Sequence, residues 1–147
     1  MKHITALLLL IVTAACQVTA QSAAPAPSTA QETAAREATD RLVAKYQLDA
    51  DQAKQMYTIQ LRKQRNTAEI APLQASNPAL YRAKVQSLHK GTLGSIRRIL
   101  HTKAQVDLYQ QTQVTVRIQQ SDKRKELMLQ NKSKDEIETA LLDIYAE

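Results

Sequence analysis

Tryptophan and phenylalanine are absent, and tyrosine, present five times in 147 residues, is the only aromatic residue. Glycine occurs twice, proline four times and cysteine once. So few glycines and large β-formers argue against a barrel, a sandwich or a dinucleotide-binding α/β domain. A single cysteine excludes an intramolecular disulfide framework. The length is that of one domain. Catalytic signatures are missing too: there is no GxSxG, no glycine-rich phosphate loop, and no CxxC, HxxxH or HExxH. His89 and His101 stand twelve residues apart without a cysteine, and Asp107 is the carboxylate nearest to either. That spacing does not build a metal site within one chain. Asp135 and Glu136 sit at a helix start, an ordinary place for acids, and nothing pairs a poised acid with a base. The expectation is a protein that is not an enzyme and carries no cofactor and no metal.

What is present begins with an address. Residues 1–20, MKHITALLLLIVTAACQVTA, carry Lys2, then an uncharged run from Ile4 to Ala15, then small residues. This is the layout of a secretory signal peptide, too short for a transmembrane helix of about 20 apolar residues. Val18-Thr19-Ala20 fits signal-peptide cleavage and would leave Gln21 first. Thr13-Ala14-Ala15-Cys16 resembles a lipoprotein cleavage box, with Thr13 where an aliphatic residue is preferred; membrane attachment follows only if Cys16 is lipidated. Simple export is the reading adopted, and removal of Cys16 leaves a cysteine-free chain suited to an oxidising compartment. Residues 21–30, QSAAPAPSTA, read as a flexible leader, and 31–147 as one helical domain.

Helical periodicity dominates after residue 30. Ala35, Ala38, Leu42 and Tyr46 mark a stripe on a helix over 31–46. Asp49 caps a second helix, with Gln52 at the third helical position and Leu48 before the cap. Ala53, Met56, Tyr57, Leu61 and Ala68 lie along that helix. Pro72 and Asn77-Pro78 bracket a turn. Tyr81, Val85, Leu88, Ile96 and Ile99 define a helix over 79–100, in which Gly91 and Gly94 suggest a bend or a close helix crossing. Thr102 and Gln105 repeat the cap chemistry before a helix over 103–130, and Ser133 caps a last one over 134–146 with Ile137, Ala140, Leu141, Ile144 and Tyr145 on one face. The expectation is an all-α, elongated hairpin or bundle of four to five helices. Its core is thin, which favours a homodimer sharing apolar surface.

Charge is segregated. Residues 52–134 carry 16 Lys and Arg against four Asp and Glu, residues 30–51 three against five, and residues 135–147 none against five. Arg62, Lys63 and Arg65 form one cluster, Arg97, Arg98 and Lys103 a second, and Lys123, Arg124 and Lys125 a third. Such a basic middle suits anionic partners. The export signal and the lack of stacking aromatics disfavour nucleic acid. Unfolded or acidic polypeptide fits better, with a basic face of Arg62, Lys63, Arg65, Arg97, Arg98 and Lys103.

The two capped starts, Leu48-Asp49-Ala50-Asp51-Gln52 and His101-Thr102-Lys103-Ala104-Gln105, resemble the LTxxQ motif of the Spy/CpxP family of bacterial periplasmic proteins. Asp49 replaces Thr in the first copy; His101 replaces Leu in the second, with Leu100 one residue before. The order of export signal, capped helices, proline-marked turn and basic middle agrees over about residues 40–125. The resemblance implies a Spy-like antiparallel dimer in the periplasm of a Gram-negative bacterium. It also implies an ATP-independent chaperone for unfolded clients or an envelope-stress adaptor that meets a sensor kinase's periplasmic domain. Leu48, Asp49, Gln52, Thr102 and Gln105 would be structural motif positions. A metal-responsive sensor of the same family and a structural envelope lipoprotein are the alternatives.

Overall fold

The computed structural model describes residues 26–145; the expected export signal and residues 21–25 of the leader lie outside the described residues. The described chain is all helical. Its elements are α1 (Thr29–Tyr46), α2 (Ala50–Ile70), α3 (Leu73–Ser76), α4 (Pro78–Ile99), α5 (Lys103–Leu129) and α6 (Lys134–Ala140), followed by a 3₁₀ turn, Leu141–Asp143. This is one helix more than the sequence pattern suggests: the segment between Pro72 and Asn77 winds into the four-residue α3. The first helix also starts two residues early, because Ser28 and Gln31 close a capping box inside what reads as leader.

Caps fix the remaining starts. Asp49, Thr102 and Ser133 accept from the backbone of α2, α5 and α6, and the Gln or Glu three residues on reaches back in each case. Asn77 caps α4 with Pro78 in its first turn. Two ends stop through left-handed residues, Gln47 with φ 53° and Asn131 with φ 56°. At the second, Lys132 N–H donates to the Leu127 carbonyl and Asn131 N–H to Met128, which satisfies carbonyls that the end of α5 leaves open. Leu48 N–H closes on Val43 in the same way after α1, and its side chain enters the core.

α2 is sandwiched between α1 and α4. It buries one stripe, Gln52, Met56, Ile59 and Gln60, turned from the stripe its apolar spacing suggests: of the latter only Met56 is buried, while Ala53, Tyr57 and Leu61 are half-buried and Ala68 is exposed. The stripe of α1 is buried as expected, and in α4 Val85, Ile96 and Ile99 are buried. The core gathers Leu42, Tyr46, Leu48, Met56, Ile59, Ile96, Ile99 and Leu100, with Val106, Leu108 and Tyr109 packed against it. It therefore lies where α1 ends, α2 begins, α4 ends and α5 begins. α5 continues far beyond it: of its residues only Gln105 and Leu127 are buried, and Ile118 and Leu129 are 57 % and 85 % exposed. Gly91 and Gly94 sit in unbroken helix, and a Cβ at either would meet nothing within 4 Å. A close crossing is not their role.

Candidate functional site

The two degenerate motifs meet in space. Gln52 and Gln105, 53 residues apart, exchange amide hydrogen bonds: Gln52 Nε2 donates to Gln105 Oε1 at 3.0 Å and Gln105 Nε2 to Gln52 Oε1 at 2.8 Å. The second N–H of each amide is also used, on Ile99 O at 2.6 Å and on Gln47 O at 3.2 Å. The oxygens accept in addition from the backbone N–H of Asp49, and of His101 and Thr102. Every donor of this pair, 2 % and 6 % exposed, is satisfied. The node joins the end of α1, the start of α2, the end of α4 and the start of α5. Cap spacing marks each glutamine as structural, but their partnership has no local sequence signal.

The six basic residues do not share one patch. Arg62 of α2 and Arg98 of α4 converge, each donating from Nη2 to Ser95 Oγ at 2.9 Å. Lys63 instead lies 5.0 Å over the Tyr145 ring. Arg65 is half-buried, with its Nε lacking a hydrogen-bond partner among the described residues. Arg97 reaches the Leu100 carbonyl on the α5 side, near Tyr109. Burial raises the Tyr109 phenol above its ordinary pKa, and the Arg97 charge partly opposes this. Lys103 pairs with Asp107 at 2.6 Å in solvent. The physical reason is helical rotation: neighbours in sequence are about 100° apart around the axis, so a run of cations fans out.

Sequence reasoning missed a cleft. α4 and α5 meet at the glutamine node and then enclose an open space of about 530 Å³. Leu93, Tyr109, Val116, Leu141 and Leu142 line it, as do the cationic Lys90, Arg117 and Arg124. Near the node, Tyr109 Oη donates to the Leu93 carbonyl at 3.3 Å. The C-terminal segment seals the other side. Tyr145 stacks on His89 with ring centroids 3.7 Å apart, its hydroxyl donates to the His89 carbonyl at 2.7 Å, and Gln120 holds the Ile144 carbonyl at 2.8 Å. Asp135 ties the segment to Arg82 of α4 at 3.0 Å, where Arg82 is only 16 % exposed. The last helix accordingly stops at Ala140 rather than 146, since the chain must turn to seat Tyr145.

Among the described residues the tail carboxylates thus pair with Arg82, Lys132 and Lys134, not with Arg62 or Arg98. Among the described residues no group of three or more His, Cys, Asp or Glu is placed to hold a metal ion, and no helix is long and apolar enough to cross a membrane. No family model, curated protein or solved structure matches the chain.

Proposed function

We propose that the protein is an exported, ATP-independent chaperone or envelope-stress adaptor of the Spy/CpxP kind, which holds unfolded polypeptide by physical contact rather than by making or breaking bonds. The observation that carries this reading is the α4/α5 cleft, where an apolar floor stands beside Lys90, Arg117 and Arg124. An unfolded segment offers apolar and acidic side chains together, and such a cleft meets both. The pairing of Gln52 with Gln105 supports the family reading, because it gives the two LTxxQ-like copies one joint purpose.

The mechanism has two stages. Cations around the cleft and on the α2/α4 face attract acidic segments over about a Debye length, roughly 8 Å at physiological salt. Short-range contacts with Leu93, Val116 and Leu142 then hold the segment weakly, so that release needs no nucleotide. Light scattering of a thermally unfolding client tests this. Equimolar protein is expected to suppress aggregation, with suppression declining as salt rises. No suppression at low salt overturns the reading.

A further inference from the structure

Arg62 and Arg98 come from different helices, yet both Nη2 atoms stand 2.9 Å from the same Ser95 Oγ. The two nitrogens are therefore no more than twice 2.9 Å apart. The Ser95 hydroxyl donates its proton to the Gly91 carbonyl at 2.9 Å, so its one donor and both lone pairs are engaged. Ser95 is buried, whereas both arginines are exposed. The hydroxyl thus positions two cations without neutralising either. Among the described residues no carboxylate forms an ion pair with Arg62 or Arg98.

Holding two like charges this close raises the electrostatic energy of the empty face, and a neutral hydroxyl offsets only part of it. Each guanidinium has five N–H donors and spends one on Ser95. Arg62 and Ser95 line two shallow grooves of about 350 and 500 Å³, and Arg98 lines the first. Thr58 and Gln55 line the first; Lys84, Asn66 and Glu69 line the second. Glu69 is the grooves' own acid, seven residues from Arg62 along α2 and not bonded to it.

We infer that Arg62, Ser95 and Arg98 form a carboxylate-binding fork that captures Asp or Glu side chains of a bound polypeptide. A carboxylate is planar and has two oxygens, which matches guanidinium donors arriving from two sides. The side-chain ordering that binding would otherwise require is already done by Ser95. The fork lies on the flank of α4 that faces α2, away from the α4/α5 cleft, so it adds a second, charge-reading contact. That the carboxylate belongs to a polypeptide rests on the function proposed above; the fork itself rests on its own geometry.

The test is fluorescence anisotropy of a labelled peptide of alternating Glu and Ser, against the same peptide with Gln for Glu. The Glu peptide is expected to bind and the Gln peptide not. Arg62→Gln and Arg98→Gln should each weaken binding about tenfold, as expected for loss of a charge-assisted bond. The double Arg62→Lys, Arg98→Lys variant, which keeps the charge but loses the fork, should weaken it to a similar degree. Arg41→Gln removes one exposed charge on α1, outside the cleft and both grooves, and should change affinity by less than about twofold. Circular dichroism confirms that each variant retains its helices. Absence of Glu-peptide binding overturns the fork, as does an equal loss in Arg41→Gln, which would reveal general attraction only. Inorganic phosphate that binds as tightly as the peptide, with the same dependence on Arg62 and Arg98, overturns the polypeptide assignment. Failure of the fork leaves aggregation suppression by the cleft intact, whereas a protein that binds the Glu peptide but suppresses nothing loses only the chaperone reading.

Discussion

Gln52 and Gln105 show how much one residue type can settle. Leucine at either place would bury more apolar surface but strand the other glutamine, and glutamate would set a carboxylate against carbonyl oxygens. Only a primary amide donates and accepts in the arrangement that the node uses. Removing one member leaves its partner with one unmet N–H and strands the backbone groups that the lost amide held, the Ile99 carbonyl and Asp49 N–H for Gln52 and the Gln47 carbonyl for Gln105; an unsatisfied buried polar group costs about 1–3 kcal/mol. Gln52→Ala and Gln105→Ala should therefore each lower unfolding free energy by about 3 kcal/mol, because each strands more than one group. The double variant should cost clearly less than the sum, since the two share the amide pair. Urea unfolding of the three variants measures this; additivity would mean that the glutamines act separately. Both residues were legible as caps, because a Ser, Thr or Asp with Gln three positions on is a local pattern. Their meeting was not, because nothing within either helix encodes a partner 53 residues away. The same limit applied to the cations: clusters in the sequence were visible, but only the packing of α2 on α4 selected Arg62 and Arg98 from them.

At the scale of elements, helix starts were more legible than helix ends. Starts depend on one or two side chains, whereas the end of α6 at Ala140 depends on where Tyr145 finds His89. α4 offers a direct check. Gly91 and Gly94 lie in its interior with open space where a Cβ would stand. Gly91→Ala and Gly94→Ala should each raise stability by about 0.8–1 kcal/mol, the helix-propensity difference. Thermal unfolding reads this; a loss in either would mean that the added methyl is not accommodated in the folded chain.

α6 carries its own pH dependence. A hydrogen bond from Lys132, then bonds from the Ser133 backbone and side chain, lower the Glu136 pKa from 4.5 to about 2. The folded value lies below the unfolded one, so the contribution of this carboxylate is complete above 4.5 and is lost as pH falls toward about 2. The capping box at Ser133 should therefore loosen over that window. Protection of the 134–140 amides, relative to the unstructured exchange rate at each pH, is expected to fall there, and Glu136→Gln should make that protection less dependent on pH. Unchanged protection down to about 2 would remove this carboxylate as the anchor of α6.

For the molecule as a whole, the uneven core matters most. Apolar packing is concentrated where α1, α2, α4 and α5 meet, while the far half of α5 is held largely through the C-terminal segment. That segment buries Ile137, half-buries Leu141, Leu142 and Tyr145, and forms one side of the cleft. It supports α5 and narrows the space where a client would lie, and these two roles oppose each other. Tyr145→Ala removes the ring on His89 and the 2.7 Å bond to its carbonyl. Loss of a half-buried aromatic should cost less than the 3–5 kcal/mol typical of a fully buried one, about 1–2 kcal/mol, and lower Tm by several degrees. The same change uncovers Leu93 and Val116, so binding of an apolar fluorescent dye should rise. Client holding at low salt should rise with it, because the cations beside the cleft are untouched while its apolar floor becomes more accessible. If dye binding and client holding both stay at the level of the unaltered protein despite the lower Tm, the C-terminal segment is only a brace for α5, and the cleft is not where clients are held.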